Sequence, residues 1–183
     1  AYSVKIATGT TSAGLKGEAA KGLIILRLES VNEKMSTWLE DSELSRFNEH
    51  GADEPFSFSP ETVKVFSGAK AVSEASGGAF DITVGPIVNL WGFGPGDEPQ
   101  GPPSDEAIEA ARGHVGFQRL RIDSTANTIT KSDPSLYCDL SAIAKGFAVD
   151  EIARALDDRG FGHYMVEVGG EVRARGGNSR GEP

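Results

Sequence analysis

An α+β fold, with helices layered on a mainly antiparallel sheet, is what this sequence predicts. The order of periodic segments is strand, helix, loop, helix, loop, helix, hairpin, helix, hairpin. That order lacks the strand–helix–strand alternation that builds a doubly wound parallel sheet. Two pairs of strand-like runs are joined by short turns, as antiparallel pairing allows. The chain has 183 residues, 38% apolar and 25% charged, a globular balance. It is long enough for one domain with a real core, or for one large domain and part of another.

Taken in order, residues 2–7 alternate inward and outward positions and read as a strand. Residues 12–35 read as a long helix whose apolar face is Leu23, Leu26, Leu28, Val31 and Met35, weakened at its start by Gly17 and Gly22. Residues 38–48 are polar and read as a loop. Ser59-Pro60-Glu61 opens a second helix, with serine as cap and proline at the first helical position. It stops at Gly77-Gly78. Residues 85–103 are loop-rich, with one short apolar turn at 87–91. Ser104-Asp105-Glu106 starts a third helix that ends near Gly113. Residues 118–123 and 127–131 form a hairpin. A fourth helix covers 142–158, with Phe147, Ala148, Ile152, Ala155 and Leu156 inward and Gly160 as its stop. Residues 163–168 and 171–175 are two strands around Gly169-Gly170.

Charge narrows the function. There are 27 acidic and 18 basic side chains, a net charge of −9, and no Lys/Arg run. Nucleic acid is therefore a poor partner, because phosphate backbones need a basic footprint. A small anionic cofactor fits if a local cation or metal supplies charge. The single cysteine, Cys138, forms no intramolecular disulfide and no cysteine metal cluster. His50, His114 and His163 show no metal spacing, and neither a P-loop nor an H-E-x-x-H motif occurs. No run approaches the roughly 18 apolar residues of a membrane helix, and no signal peptide is visible.

Three segments carry chemistry. In Gly77-Gly78-Ala79-Phe80-Asp81, two glycines precede an aromatic and a carboxylate. The segment reads either as a helix C-cap leading to a strand, or as backbone that approaches a ligand closely. In residues 138–146 an acid, Asp139, precedes a helix whose first turn carries Lys145. A lysine there is electrostatically odd unless an anion such as a pyrophosphate sits on the helix start. The alternative is a capping aspartate and a solvated lysine. Glu167-Val168-Gly169-Gly170-Glu171 is either a tight hairpin or room for a planar ligand.

Five segments in order, YSVKI, MSTWLEDSELSRFN, GGAFDITVGPIVNLW, DLSAIAKG and EVGGEV, resemble the ApbE family of flavin transferases. The resemblance covers essentially the whole chain. It implies a T-fold-like α+β core and a Mg²⁺-dependent enzyme that binds FAD, splits its pyrophosphate and attaches FMN to a threonine of a target protein. It implies targets among the subunits of membrane redox pumps, and a place outside the cytoplasm with a lipid anchor on the membrane. Carried over by position, Trp38, Ala79, Phe80, Asp81, Asp139 and Lys145 would contact FAD, and the carbonyl of Ala142 would help hold magnesium. The family's remaining metal ligands fall after the last residue, so residues 1–183 are expected to be the N-terminal part of a single domain. A lead-in with one flavin contact is expected before residue 1. Two alternatives remain: an FAD pyrophosphatase yielding FMN and AMP, and a module that binds FAD without reacting.

Overall fold

The computed structural model describes residues 1–7, 13–96, 99–178 and 180, with side chains in the first helix described from residue 17. Ser12, expected to open that helix, and Gly181 to Pro183 lie outside the described residues. In chain order the elements are β1 (Tyr2–Ile6), α1 (Ala13–Met35), α2 (Glu43–Glu49), β2 (Phe56–Ser57), α3 (Pro60–Ala75), α4 (Gly85–Leu90), α5 (Asp105–Arg112), β3 (Leu120–Asp123), β4 (Thr128–Lys131), α6 (Ser141–Asp158), β5 (Tyr164–Val168) and β6 (Glu171–Arg175). Helices and antiparallel sheets mix as the sequence predicts. Two compact units are formed, one from Ala1–Val31 with Ile143–Pro183 and one from Asn32–Ala142. Among the described residues no helix is long and apolar enough to cross a membrane.

The first unit is built on a sheet of order β1-β5-β6, antiparallel throughout. Tyr164, Val166 and Val168 alternate along β5 and face Ala20 and Ile24 of α1 and Val149, Ile152, Ala153 and Leu156 of α6. Leu28 joins this core, but Leu26 is 63% exposed. Two residues rotate a helix by about 200°, so Leu26 stands opposite Ile24. The inward stripe of α1 in this unit is Ala20, Ile24 and Leu28. The Gly169-Gly170 link between β5 and β6 is a two-residue turn with both φ values positive, 56° and 97°. That is the turn type a tight hairpin needs.

The second unit has its own sheet, order β2-β4-β3. Its core includes an aromatic cluster. Phe47 packs edge-on to Phe56, Phe58 and Phe66, with ring centroids 5.7, 5.1 and 5.9 Å away. The loop expected at 38–48 contains α2. Ser42 caps it, its hydroxyl accepting from the Ser45 N–H at 2.9 Å. Leu44 and Phe47, three residues apart, are both fully buried. One turn of apolar spacing inside a polar stretch is a weak periodic signal, which is why the sequence reads as loop. At α3 the expected cap Ser59 is in place, but its side chain makes no capping bond. Glu43 stands at this helix start, accepting from the Ser59 N–H at 3.2 Å and from the Thr62 hydroxyl at 2.6 Å. A carboxylate at a helix N-terminus is favoured by the exposed N–H groups and the dipole.

Candidate functional site

At the end of α3 the chain turns through Gly77 and Gly78, with φ of 63° and 85°. The Gly78 N–H donates to the Ser73 carbonyl at 2.8 Å, closing the helix. The C-cap reading and the ligand reading of these glycines coexist, because Gly78 also borders a cavity. Asp81 follows. Its Oδ1 accepts from the Thr83 N–H and hydroxyl at 2.8 and 2.7 Å, and its Oδ2 from the Phe117 N–H at 2.9 Å. The Thr83 oxygen in turn accepts from the Gly116 N–H at 2.7 Å. The carboxylate is thus committed to fixing the floor that residues 79–84 provide.

Residues 134–139 run beside that floor. Val84 and Tyr137 form a parallel bridge, and the Asp139 N–H donates to the Ile82 carbonyl at 2.7 Å. Gly85 makes the approach possible. A Cβ there would stand 2.6 Å from the Tyr137 carbonyl oxygen. Asp139 lies two residues before α6, its Oδ1 accepting from the Ser141 N–H at 2.7 Å. Capping explains one oxygen of Asp139, and the residue still borders the cavity.

The cavity has a volume of about 630 Å³. Ala79, Phe80, Asp81, Asp139 and Ala142, five of the residues singled out in the sequence, line it together. Its apolar wall includes Ile82, Val84, Ile87, Val88 and Val115. Pockets of a few hundred Å³, mostly apolar with a few placed polar groups, are typical of cofactor sites. Trp38, in the same unit, is 65% exposed and does not line this cavity. Arg112 and Phe93 also line the cavity without having been candidates in the sequence. Arg112, the last residue of α5, is the one cation among the described lining residues, and its Nη1 donates to Glu109 at 2.7 Å. Phe93 is 77% exposed. A basic last turn on α5 and an aromatic between two glycines were the signals available.

Lys145 belongs to the other unit. Because α6 begins at Ser141, Lys145 is its fifth residue and opens the second turn, not the first. Among the described residues it has no ion-pair partner. Its stem lies on Gly169, where a Cβ would stand 2.8 Å from Lys145 Cδ. Magnesium was expected at the carbonyl of Ala142. Among the described residues no group of three or more His, Cys, Asp or Glu could hold a metal ion. One helix carbonyl is not the set of oxygen ligands that Mg²⁺ requires. The Ala142 carbonyl would be one ligand of such a set, and no step is derived through the ion.

Fold and cavity together define an α+β protein with an apolar, carboxylate-edged cleft of cofactor size. The chain belongs to the ApbE family, whose model matches residues 1–183. It is 49% identical over 156 residues to a protein of Vibrio cholerae serotype O1 named FAD:protein FMN transferase, covering 85% of this chain and 46% of that relative. A protein of the same name from Escherichia coli K12 is 38% identical over 165 residues, covering 89% and 47%. Among solved structures, the flavin transferase ApbE from Vibrio cholerae superposes with a TM-score of 0.93 at 44% identity, covering all of this chain and 58% of that one. The apo flavinyl transferase ApbE from Pseudomonas stutzeri gives 0.88 at 35% identity, covering 100% and 57%. The chain spans about half the length of the curated relatives it matches.

Proposed function

We propose that the protein carrying this chain transfers FMN from FAD to a threonine of an acceptor protein and releases AMP, with Mg²⁺ required. The observation that carries this reading is the convergence of Ala79 to Asp81, Asp139 and Ala142 on one cavity. The names of the relatives support it. In the transfer, the threonine oxygen attacks the FMN phosphorus and a new P–O bond forms. The bond from that phosphorus to the bridging pyrophosphate oxygen breaks, and its electron pair leaves with AMP. The threonine proton passes to a base or to water. Such reactions depend mainly on positioning and charge neutralisation. Here the apolar wall would shield part of the flavin nucleotide from water, and Arg112 would offset negative charge. In this reading the acceptor is a subunit of a membrane redox pump. The enzyme works outside the cytoplasm, held to the membrane by a lipid anchor.

The test incubates the intact protein with FAD, Mg²⁺ and such a subunit, followed by mass spectrometry. FMN covalently bound to a threonine, lost on addition of EDTA, is the expected result. Free FMN and AMP without acceptor labelling would make the protein a pyrophosphatase. Bound but unchanged FAD would make it a binding module. Fractionation of cells tests the anchor, which predicts recovery with membranes.

A further inference from the structure

We propose that Asn48 and Lys131 are positioning residues for Asp139, acting through the strap of residues 134–138 that delivers it to the cavity. Among the described residues the strap has a strand-like neighbour on one side, at the Val84–Tyr137 bridge. On another side a single side chain does what a neighbouring strand would do. Asn48 Nδ2 donates to the Cys138 carbonyl at 2.9 Å, and Asn48 Oδ1 accepts from the Cys138 N–H at 2.8 Å. Both groups of the residue immediately before Asp139 are thereby held by one amide. Asn48 is itself buried near the end of α2.

Lys131 secures the rest. It is the last residue of β4 and fully buried, an expensive place for an ammonium unless every N–H finds an acceptor. Its Nζ donates to the carbonyls of Asn48, Pro134 and Leu136 at 2.6, 3.2 and 3.2 Å. Three donors meet three acceptors, two of them on the strap and one on Asn48. Burial pushes the Lys131 amine below its ordinary range. The three carbonyls favour the protonated form. Asn48 is therefore held by its main chain and holds Cys138 with its side chain. The next peptide N–H, that of Asp139, is fixed to Ile82. A position set from both sides in this way serves a group that must stand at a defined point on a ligand, as supporting shells do in preorganised sites.

This inference rests on the reading that the cavity binds FAD. A double-mutant cycle on the intact protein tests it, with FAD affinity read by fluorescence quenching and folding by urea titration. Asn48→Ala is expected to weaken FAD binding about tenfold in the wild-type background and by less than about twofold in the Asp139→Ala background, since neighbours acting through one group are not additive. Equal losses in both backgrounds would reduce Asn48 to a general structural role and overturn the proposal. If Asn48→Ala yields no folded protein, Asn48→Gln replaces it. Glutamine keeps the amide but moves it by one methylene, and the same two outcomes apply. Lys131→Met in the same cycle is expected to show the same loss of effect once Asp139 is gone. Failure of the wild-type protein to bind FAD would instead remove the reading of the cavity.

Discussion

Two aspartates border the cavity and use their oxygens differently. Asp81 spends both on Thr83 and Phe117. Asp81→Ala therefore strips acceptors from three donors in a largely buried corner, and a loss of about 2–4 kcal/mol of stability is expected in urea titrations. Asp139 spends Oδ1 on the Ser141 N–H. Asparagine can make that bond but carries no charge. Asp139→Asn is expected to keep the melting temperature within a few degrees and to weaken FAD binding about tenfold, since a cap is worth only about 1 kcal/mol and asparagine keeps most of it. A large drop in melting temperature with unchanged affinity would make Asp139 purely structural. The residue types were legible in the sequence. Their division of labour was not, because the partners of Asp81 lie up to 36 positions away, at Phe117. The same distance hid Asn48, which meets Cys138 across 90 positions.

Elements with local signals were read well and those with long-range causes were not. The cap at Ser104, the glycine stop after α3 and the Gly-Gly hairpin all follow from local backbone chemistry. The two-residue β2 was not foreseen, since its evidence is pairing with Ile129 and Thr128 on β4. The 85–103 stretch shows the difference most sharply. Within this loop-rich stretch the short apolar turn expected at 87–91 forms as part of α4, with Pro86 in its first turn. Gly85 serves a contact rather than a turn: its missing Cβ lets the floor of the cavity touch Tyr137. Gly85→Ala must push the two segments apart. A destabilisation of about 1–3 kcal/mol, as for overpacking, is expected in urea titrations, together with weaker FAD binding. Unchanged stability would show that the strap gives way easily.

For the molecule as a whole, acid sets a limit on stability. Asp133 is held below its ordinary value of 3.8, first by the hydrogen bond to His114, with Arg119 adding charge. Asp157 is lowered as well, first by the Tyr164 hydroxyl and then by Arg175. A carboxylate depressed on folding adds stability that is complete above its unfolded value and lost as pH falls through the folded one. Urea midpoints are therefore expected to decline below about pH 4. Asp133→Asn and Asp157→Asn should each flatten that decline, and a slope unchanged in both variants would assign it elsewhere. Composition foretold the acidic surface but not these pairs, which join residues brought together only by folding. Cys138 has a consequence at this scale too. It is the one cysteine of the chain, it is fully buried, and burial pushes its thiol far above the ordinary range. Since the thiolate is the reactive form, iodoacetamide should meet it only when the strap lifts. The rate of alkylation in native buffer, divided by the rate in urea, then counts the fraction of time the strap spends open. Saturating FAD should slow that clock if Asp139 grips the ligand, and alkylation at the urea rate without denaturant would mean that the thiol is never shut in.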